Sequence, residues 1–328
     1  MKKRIVLLTV LSIGSSVAQS ASINVYTGRG KGLVDPIVAQ FERASGIKVN
    51  VRYATDAALY AALQEEGTKS PADIFWANSS GTLGLMSAQL RPLPSSLVKP
   101  FGEVYTPANN TWIPLSIRFR VLAFNTQKIK PEELPKSVLE LPKISSLKGR
   151  VGWTLGYASF QDFIGAMIAL KGEAATREWL RGMKALEPKD FGTSNTGMME
   201  AVRSGQIDVA LTNHYYIQRF VKSGAPLGTH YFAAGDPGSL ALVTGAGILK
   251  TSKNAANAQK FLRYLAGKEA QQFFSSELFE YPTIGKTLLS SSLLPFEQAS
   301  KLSPAIDQEK LGARLGAAQK LLQEEGLL

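Results

Sequence analysis

The feature that most constrains this chain is an alternation of strand-like and helix-like segments that occurs twice. From residue 22 onwards, the apolar runs SINVYTGRG, IKVNVRYAT and ADIFWAN are separated by the helix-like stretches LVDPIVAQFERASG and DAALYAALQEEG. The same order returns between residues 149 and 224. Because strand–helix–strand repetition is typical of mostly parallel sheets covered by helices, the sequence predicts two α/β units.

Two long apolar strands are predicted to connect these units. WIPLSIRFRVLAFNTQKI follows the first unit, and SLALVTGAGILK follows the second and precedes the helical stretch NAANAQKFLRYLAGKEAQQFF. We expect the chain to cross between the units at both strands, so that each lobe is discontinuous. This is the topology of a two-lobed, hinged solute-binding protein (type II), an α/β fold with a mixed, mostly parallel sheet flanked by helices in each lobe and the ligand cleft at the hinge.

The crossings predict the following domain bounds. The N-terminal lobe comprises residues 21–117 and 246–290, and the C-terminal lobe comprises residues 118–245 and 291–328. A length of 328 residues fits two lobes better than one compact core.

Residues 1–20 have the features of a cleaved signal peptide. The sequence MKKRIVLLTVLSIGSSVAQS has a basic start, an apolar stretch from Ile5 to Ile13, and small residues at Ala18 and Ser20. The apolar stretch is shorter than the roughly 20 residues that a membrane-spanning helix needs. We therefore expect an exported, periplasmic protein.

Composition excludes several classes of function. The chain has no cysteine, which rules out disulfides, iron–sulfur clusters and Cys-ligated zinc, and it has only two histidines, so a metal site must consist mainly of oxygen ligands. The formal net charge is +11, but the Lys and Arg residues are scattered and interleaved with acids. Because no basic stripe with interleaved aromatics is present, no nucleic-acid partner is expected.

Enzyme signatures are absent from the sequence. The glycines of YTGRGKG do not form G-x-G-x-x-G because Leu33 occupies the last position, and GKT at residues 285–287 is preceded by Glu280 where a P-loop needs glycine. The chain also lacks a G-x-S-x-G motif. The sequence thus predicts a binding protein rather than an enzyme.

Two adjacent tyrosines follow the predicted strand QIDVALTN. Asn213 is a candidate helix N-cap, which places Tyr215 and Tyr216 in the first helical turn, beyond the carboxyl end of a strand where ligands bind in α/β sheets. The positive end of a helix favours a phenolate, and ferric iron is the hard, highly charged cation that would draw two phenolates together. The alternative is that both phenols merely pack or form hydrogen bonds on a lobe surface. His214 should point elsewhere and is not counted as a ligand.

The chain resembles the periplasmic ferric-ion-binding proteins of bacterial ABC iron transporters. The resemblance covers essentially the whole mature chain and includes INVYTGRGKG, FERASGIKV, EEGTKSPADIFWAN, KGEAATREWLRGMKAL, SGQIDVALTNHYYI, GAGILKTSKN and FLRYLAGKEAQ. The N-x-Y-Y doublet after I-D-x-A-L is a specific motif of that family. The resemblance implies that Tyr215 and Tyr216 bind iron.

Two positions depart from the best-known members of that family. Gly30 stands where they often have histidine, and Asn78 stands where they have glutamate. Some branches use a third tyrosine from the loop before the helix FQDFIGAM, and Tyr157 in GWTLGYASF occupies about that place. We therefore expect Tyr157 as the third ligand, because three phenolates balance one ferric charge. The alternative is a loop aromatic that covers the cleft.

The family's use of a synergistic anion implies that a small anion completes the coordination, with carbonate or bicarbonate as first choice and phosphate as second. Arg118 offers a planar guanidinium for it, and Arg120 lies on the same strand face. Other expected donors are the side chains of Asn195 and Asn213 and the backbone around Ala158 and Ser159. The alternatives are a solvated strand-edge charge for Arg118 and helix capping for the two asparagines. Arg29, Gly30 and Asn78 are possible cleft residues.

The sequence therefore predicts a monomeric periplasmic receptor that captures Fe³⁺ with a small anion and delivers it to an ABC permease in the inner membrane. The second hypothesis is a receptor for an oxyanion or small organic anion, with the tyrosines as hydrogen-bond donors. A hydrolase of unknown type is the third.

Overall fold

The computed structural model describes residues 21–101, 106–285 and 287–328, except the side chains of residues 308–310. The predicted signal peptide lies outside the described residues. In the first part of the chain the elements are β1 (Ser22–Thr27), α1 (Lys31–Ser45), β2 (Lys48–Tyr53), α2 (Asp56–Glu66), β3 (Ile74–Ala77), α3 (Ser80–Met86), α4 (Ser95–Val98) and β4 (Trp112–Asn125).

The second α/β unit follows β4 and shows the predicted alternation. Its elements are β5 (Val151–Trp153), α5 (Ala158–Lys171), α6 (Glu173–Ala185), β6 (Lys189–Asp190), α7 (Asn195–Arg203), β7 (Val209–Asn213), α8 (His214–Lys222) and β8 (Leu227–His230). The chain ends with β9 (Ala241–Ile248), α9 (Ala255–Leu265), α10 (Lys268–Ser276), β10 (Tyr281–Pro282), α11 (Phe296–Leu302) and α12 (Gln308–Glu324).

The strands form one continuous path in the order β2-β1-β3-β9-β4-β7-β5-β6, with β8 and β10 also paired to β4. Strand β1 runs parallel to β2 and β3, and β5 runs parallel to β6 and β7, whereas β4 and β9 pair antiparallel with their neighbours. We refer to the structure around β1–β3 and β9 as the first lobe, and to that around β5–β7 as the second lobe. The predicted two-lobed α/β architecture is confirmed.

Strand β4 belongs to both lobes. All of its 14 residues are buried. Its first part pairs with β9 as far as Phe119, opposite Ala241, and its last part pairs with β7 from Arg120, opposite Asn213. The crossing between lobes therefore falls between two adjacent residues of one strand.

Two large apolar clusters fill the lobes. One lies along β1, β3 and β9, and the other lies between β5, β7 and the helices α5, α6 and α12. Helix α12 packs against both α3 and α5. The precise domain bounds given above remain a prediction.

One predicted element is wrong in detail. The stretch NAANAQKFLRYLAGKEAQQFF was expected as one helix, but it forms α9 and α10, which are separated at Ala266 and Gly267. Gly267 has extended backbone and serves as the N-cap of α10, which breaks the helical hydrogen-bond ladder at this point. In the parts of the chain that the structure describes, no helix combines the length and apolar character that a membrane span needs.

Candidate metal and anion site

Three tyrosines from the second lobe converge at the cleft. The Oη atoms of Tyr157 and Tyr216 are 2.9 Å apart, and the ring centroids of Tyr215 and Tyr216 are 4.3 Å apart. The Oη of Tyr215 is buried and has no hydrogen-bond partner among the described residues. An unpartnered buried phenol next to a close phenol pair is unfavourable in a ligand-free protein, so the arrangement is suited to something that occupies the space between them.

Two helix N-termini carry these phenols. Tyr157 is the N-cap residue of α5, and Tyr215 and Tyr216 lie in the first turn of α8, directly after β7. The first backbone N–H groups of a helix lack intrahelical acceptors, and the helix dipole adds positive potential there. Both helices thus favour negative charge at the point where the phenol oxygens meet.

Burial makes the phenols of the doublet hard to ionise on their own. Desolvation, followed by the charge of Tyr157, raises the pKa of Tyr215 well above the usual value, and Glu280 acts in the same direction. Desolvation also raises the pKa of Tyr216 well above the usual value, with the charges of Tyr157 and Tyr215 adding to it. Without a cation the two phenols of the doublet are neutral, and a cation that binds them as phenolates must displace their protons.

Arg120 and Asn213 meet Ser159 at the start of α5. The Nδ2 of Asn213 donates to Ser159 Oγ at 3.1 Å, and Nη1 of Arg120 lies 3.5 Å from both Ser159 Oγ and Asn213 Oδ1. Burial, followed by the charge of Arg118, lowers the pKa of Arg120 to about 9. Asn213 occupies the predicted N-cap position of α8, but its side chain does not cap the helix. Ala158 and Ser159 are the first two residues of α5, and no side chain of the described residues caps that helix.

Arg118 is fully buried beside the first lobe. Its Nη2 donates to the backbone oxygen of Asn78, while its Nε and Nη1 find no acceptor among the described residues. The amide of Asn78 is also buried, and both its side-chain atoms lack a partner within the described chain. The prediction of a solvated strand-edge charge is therefore wrong for Arg118, because β4 is covered on both faces.

Arg29 forms a buried ion pair that the sequence did not reveal. Its Nη2 donates to the Glu280 carboxylate at 2.8 and 3.0 Å, and both side chains are at most 1% exposed. The carboxylate also accepts a hydrogen bond from Ser116 Oγ. Nε and Nη1 of Arg29 have no partner in the described part of the chain. The guanidinium thus has two donor groups available next to the cleft.

Asn195 lies at the start of α7, but it is not the cap. Ser194 is the N-cap residue, and its side chain accepts from Gly197 N. Asn195 instead accepts from Thr212 Oγ1 at 3.0 Å, and its Nδ2 has no partner among the residues described. Helix capping is therefore wrong for Asn195, whereas an available amide donor at the cleft is present.

A cleft of about 470 Å³ lies between the lobes. Among the predicted site residues, those that line it are Arg29, Gly30, Asn78, Tyr157, Ala158, Asn195 and Tyr216. Tyr215, Arg118, Ser159 and Asn213 are buried around it. The structure therefore brings residues from both lobes to one place, and the tyrosines all come from the second lobe.

Two buried aspartates near the cleft were not predicted. Asp56 accepts from the backbone N–H of Asn78, and Asp162 on α5 accepts from Ser79 Oγ. Burial raises the pKa of Asp56 to about 7 and that of Asp162 to about 6. The sequence around Asp56 is compatible with a solvated acid and gives no sign of its burial. For Asp162, the apolar neighbours in FQDFIG are the one feature of the sequence that indicates burial.

His214 is engaged by the backbone. Its Nδ1 accepts from Phe119 N–H at 3.0 Å, and its Nε2 lies 2.8 Å from the carbonyl oxygen of Phe279. Burial lowers the pKa of His214 to about 4, so the ring is neutral at pH 7. Both ring nitrogens therefore have backbone partners. Among the described residues, no three His, Asp or Glu side chains come together as a potential metal-binding group.

Two lobes joined by shared strands, with a polar cleft between them, define a solute-binding protein. Residues 25–272 match the family described as bacterial extracellular solute-binding protein, and the chain belongs to this family. Membership indicates a protein that binds its ligand rather than an enzyme.

The chain is similar to several iron-binding proteins. It is 32% identical to the major ferric iron-binding protein of Neisseria meningitidis serogroup B, over 98% of this chain and 97% of that protein. It is also 32% identical to the Fe(3+)-binding periplasmic protein of Serratia marcescens, over 97% and 95% of the two chains. The crystal structure of iron-bound HitA from Pseudomonas aeruginosa superimposes with a TM-score of 0.88 at 32% identity, covering 94% of this chain and 100% of that one.

Proposed function

We propose that this chain is a periplasmic receptor for ferric iron and that Tyr157, Tyr215 and Tyr216 bind the ion as phenolates. The observation that carries the proposal is the convergence of the three phenols, with the Tyr215 Oη unpartnered beside the 2.9 Å pair of Tyr157 and Tyr216. The names of the similar proteins from Neisseria and Serratia, and the iron-bound HitA structure, support the choice of ion.

The charge of the ion explains why these phenols would ionise. A phenol has a pKa of about 10 in water, and burial raises it further for Tyr215 and Tyr216. Three phenolates neutralise one Fe³⁺, so the loaded site would bury no net charge from the metal and its protein ligands. Hard oxygen donors also suit ferric iron better than they suit softer transition metals.

We further propose that a small anion fills the remaining coordination positions, with carbonate or bicarbonate favoured and phosphate second. Unpartnered N–H donors support this: two on Arg118, two on Arg29, and one each on Arg120 and Asn195, counted among the described residues. The N-terminus of α5 at Ala158 and Ser159 adds backbone donors. Asn213 contributes indirectly, because it positions Ser159 and Arg120.

Family membership implies delivery of the ligand to a membrane permease. In this proposal the receptor works as a monomer, closes over iron and anion, and hands the iron to an ABC permease in the inner membrane. Residues 1–20 would direct export to the periplasm, which agrees with the name of the relative from Serratia.

The test of the metal proposal is spectroscopic. We expect iron-free protein titrated with ferric nitrilotriacetate to develop a visible tyrosinate-to-iron charge-transfer band. Phe in place of Tyr157, Tyr215 or Tyr216 should weaken the band and lower ferric affinity by more than the roughly 10- to 100-fold that loss of a supporting residue costs. Tyr264→Phe is the control, since this tyrosine lies on α9 and contacts Gln40.

Two outcomes would count against parts of this proposal. An unchanged band and affinity in Tyr157→Phe would show that Tyr157 is not the third ligand. Asn78→Ala, in contrast, should leave the band largely intact. If wild type develops no band but binds bicarbonate, phosphate or an organic anion without iron, the chain is an anion receptor. The unpartnered arginine donors favour that second function if the metal is absent.

The anion proposal is tested through pH. Iron binding releases phenol protons and needs a charged anion, so ferric affinity should fall as pH falls. Arg118→Ala should move the iron-release midpoint to higher pH in bicarbonate buffer, because it weakens anion retention. Arg43→Ala, an exposed change on α1, is the matched control. Equal midpoints for wild type and Arg118→Ala, with and without bicarbonate, would exclude Arg118 and the anion from the site.

A further inference from the structure

His214 connects three parts of the molecule that meet at the site. It is the first residue of α8, directly before the tyrosine doublet, and its side chain is fully buried. One ring nitrogen accepts from the backbone of β4, and the other lies within hydrogen-bond distance of the Phe279 carbonyl. Because Nδ1 accepts, Nε2 carries the proton and donates to Phe279.

The partner on β4 lies at the crossing between the lobes. Phe119 is the last residue of β4 that pairs with β9, and Arg120 is the first that pairs with β7. Its neighbours in sequence are Arg118 and Arg120, which are both buried and have unpartnered N–H groups among the described residues. A hydrogen bond from Phe119 N–H to His214 fixes the tyrosine-bearing turn relative to both guanidinium groups.

The partner on the other side leads to the third arginine. Phe279 has a φ of 58°, a left-handed conformation that is unfavourable for a bulky residue and needs support from its surroundings. The next residue, Glu280, binds Arg29 through two hydrogen bonds. The bond from His214 to the Phe279 carbonyl thus stabilises the turn that places Glu280, and through it Arg29.

We propose that His214 is a positioning residue that holds the phenols of Tyr215 and Tyr216 in register with the arginines that receive the anion. This inference rests on the proposed ferric function and concerns how the metal half and the anion half of the site are kept together. His214 itself does not touch the metal.

A packing role alone does not account for these contacts. An apolar ring would fill the same space, but it would leave the Phe119 N–H and the Phe279 carbonyl buried without partners. Both hydrogen bonds are made to backbone atoms, and both backbones carry the residues next to the anion donors. The ring therefore determines a relative position that side-chain packing would determine less sharply.

The test compares His214→Phe and His214→Gln with a matched control. His230 is the only other histidine in the chain, and its Nε2 makes a bond of the same length, 2.8 Å, to the carbonyl of Pro135. His230→Gln therefore makes the same substitution at a similar histidine–carbonyl bond away from Tyr157, Tyr215 and Tyr216. For each protein, the charge-transfer maximum and the ferric affinity are measured with and without bicarbonate, together with the thermal unfolding midpoint.

We expect His214→Phe to shift the charge-transfer maximum, to lower ferric affinity by about tenfold or more, and to reduce the gain in affinity that bicarbonate gives. The affinity, the charge-transfer maximum and the bicarbonate effect of His214→Gln should lie between those of wild type and of His214→Phe, because the glutamine amide offers one donor and one acceptor. His230→Gln should keep the wild-type band and the wild-type bicarbonate effect. A purely structural role would lower the unfolding midpoint and leave the band maximum and the bicarbonate effect unchanged, which would overturn the proposal.

A measurement on wild type covers the case in which neither variant folds. With two histidines, the ring-nitrogen NMR spectrum is simple, and Ga³⁺ serves as a diamagnetic substitute for Fe³⁺. We expect His214 to keep the Nε2–H tautomer and both hydrogen bonds before and after Ga³⁺ loading at neutral pH. Loss of either bond on loading would refute the positioning role. If wild type shows no charge-transfer band with iron, the ferric function fails first, so the two failures are distinguishable.

Discussion

Gly28 approaches a buried carboxylate more closely than any side chain would allow. A Cβ at this position would lie 1.6 Å from Asp56 Oδ1, whereas a Cβ at Gly30 would meet nothing nearer than Leu33 Cδ1 at 4.0 Å. Both glycines lie in the same cleft turn, so their different surroundings can be compared directly.

We expect Gly28→Ala to lower the free energy of unfolding by about 2–4 kcal/mol, because Asp56 must leave its bond to Asn78 N–H or the turn must move. Gly30→Ala should change it by about 0.5 kcal/mol or less. Urea denaturation of the two iron-free variants gives both values. Equal stability of the two variants would contradict this account of the turn.

At the residue scale, the sequence indicated the candidate ligands better than the buried acidic residues around them. The N-x-Y-Y motif and the loop position of Tyr157 could be recognised in the sequence. The structure places Tyr157 and Tyr216 in hydrogen-bond contact. The burial of Glu280 and Asp56 was not readable, because it depends on packing between segments far apart in the chain. A burial pattern set by tertiary contacts leaves little local periodicity.

At the scale of elements, α12 joins the lobes through close backbone contact. A Cβ at Gly312 would lie 2.8 Å from the carbonyl oxygen of Gly81 and 3.0 Å from the Cα of Gly84, so α12 and α3 approach backbone to backbone. Gly316, one turn further along α12, has nothing within 4 Å of its Cβ position. Only one of the two glycines is needed for packing.

Gly312→Ala should therefore lower the free energy of unfolding by about 1–3 kcal/mol through overpacking. Gly316→Ala should raise it by up to about 1 kcal/mol, since alanine is the better helix former. Thermal and urea unfolding of both variants measure the difference. A destabilised Gly316→Ala protein, or a neutral Gly312→Ala protein, would show that α12 does not pack in this way.

The elements themselves followed largely from local sequence. The strand–helix alternation predicted β1, β2 and β3, and later β5 and β7, in the observed order, because buried strands and amphipathic helices have different periods. The short strand β6 was not predicted. The break between α9 and α10 at Gly267 was missed, since one glycine in an otherwise helical stretch is often tolerated.

For the molecule as a whole, Asp162 links the lobes and gives stability a pH dependence. It lies on α5 of the second lobe and accepts from Ser79, which precedes α3 of the first lobe. Burial raises its pKa to about 6, compared with about 3.9 for an unfolded chain. Between these two pKa values the folded protein binds more protons than the unfolded chain. The contribution of Asp162 to stability is therefore present below pH 4 and is lost as pH rises through 6.

The Asp162→Asn protein does not lose this stability as pH rises. It also lacks one hydrogen-bond acceptor of the aspartate side chain, and the effect of that missing acceptor is independent of pH. The stability of Asp162→Asn relative to wild type should thus increase by about 2–3 kcal/mol between pH 4 and pH 7. The term from His214, which has the opposite sign, cancels in the comparison. Urea denaturation of iron-free protein across this range measures the difference. A difference that does not vary with pH would mean that Asp162 titrates normally.

The two-lobed fold was predictable at this scale because both crossing strands are long and apolar, and the similar solved structures confirm the fold class. The way in which the lobes meet was not predictable. Contacts such as Asp162 with Ser79 and Arg118 with Asn78 join residues that no local pattern relates.

The placement of β9 has a consequence for the time course of folding. Strand β3 pairs with β1 and β9, and the strands of the second lobe, β5 to β7, lie between β3 and β9 in sequence. During synthesis, β3 therefore exposes an unpaired edge until residues 241–248 emerge. Long-range pairing of this kind is slow to form, and it keeps the nascent chain incompletely folded for longer.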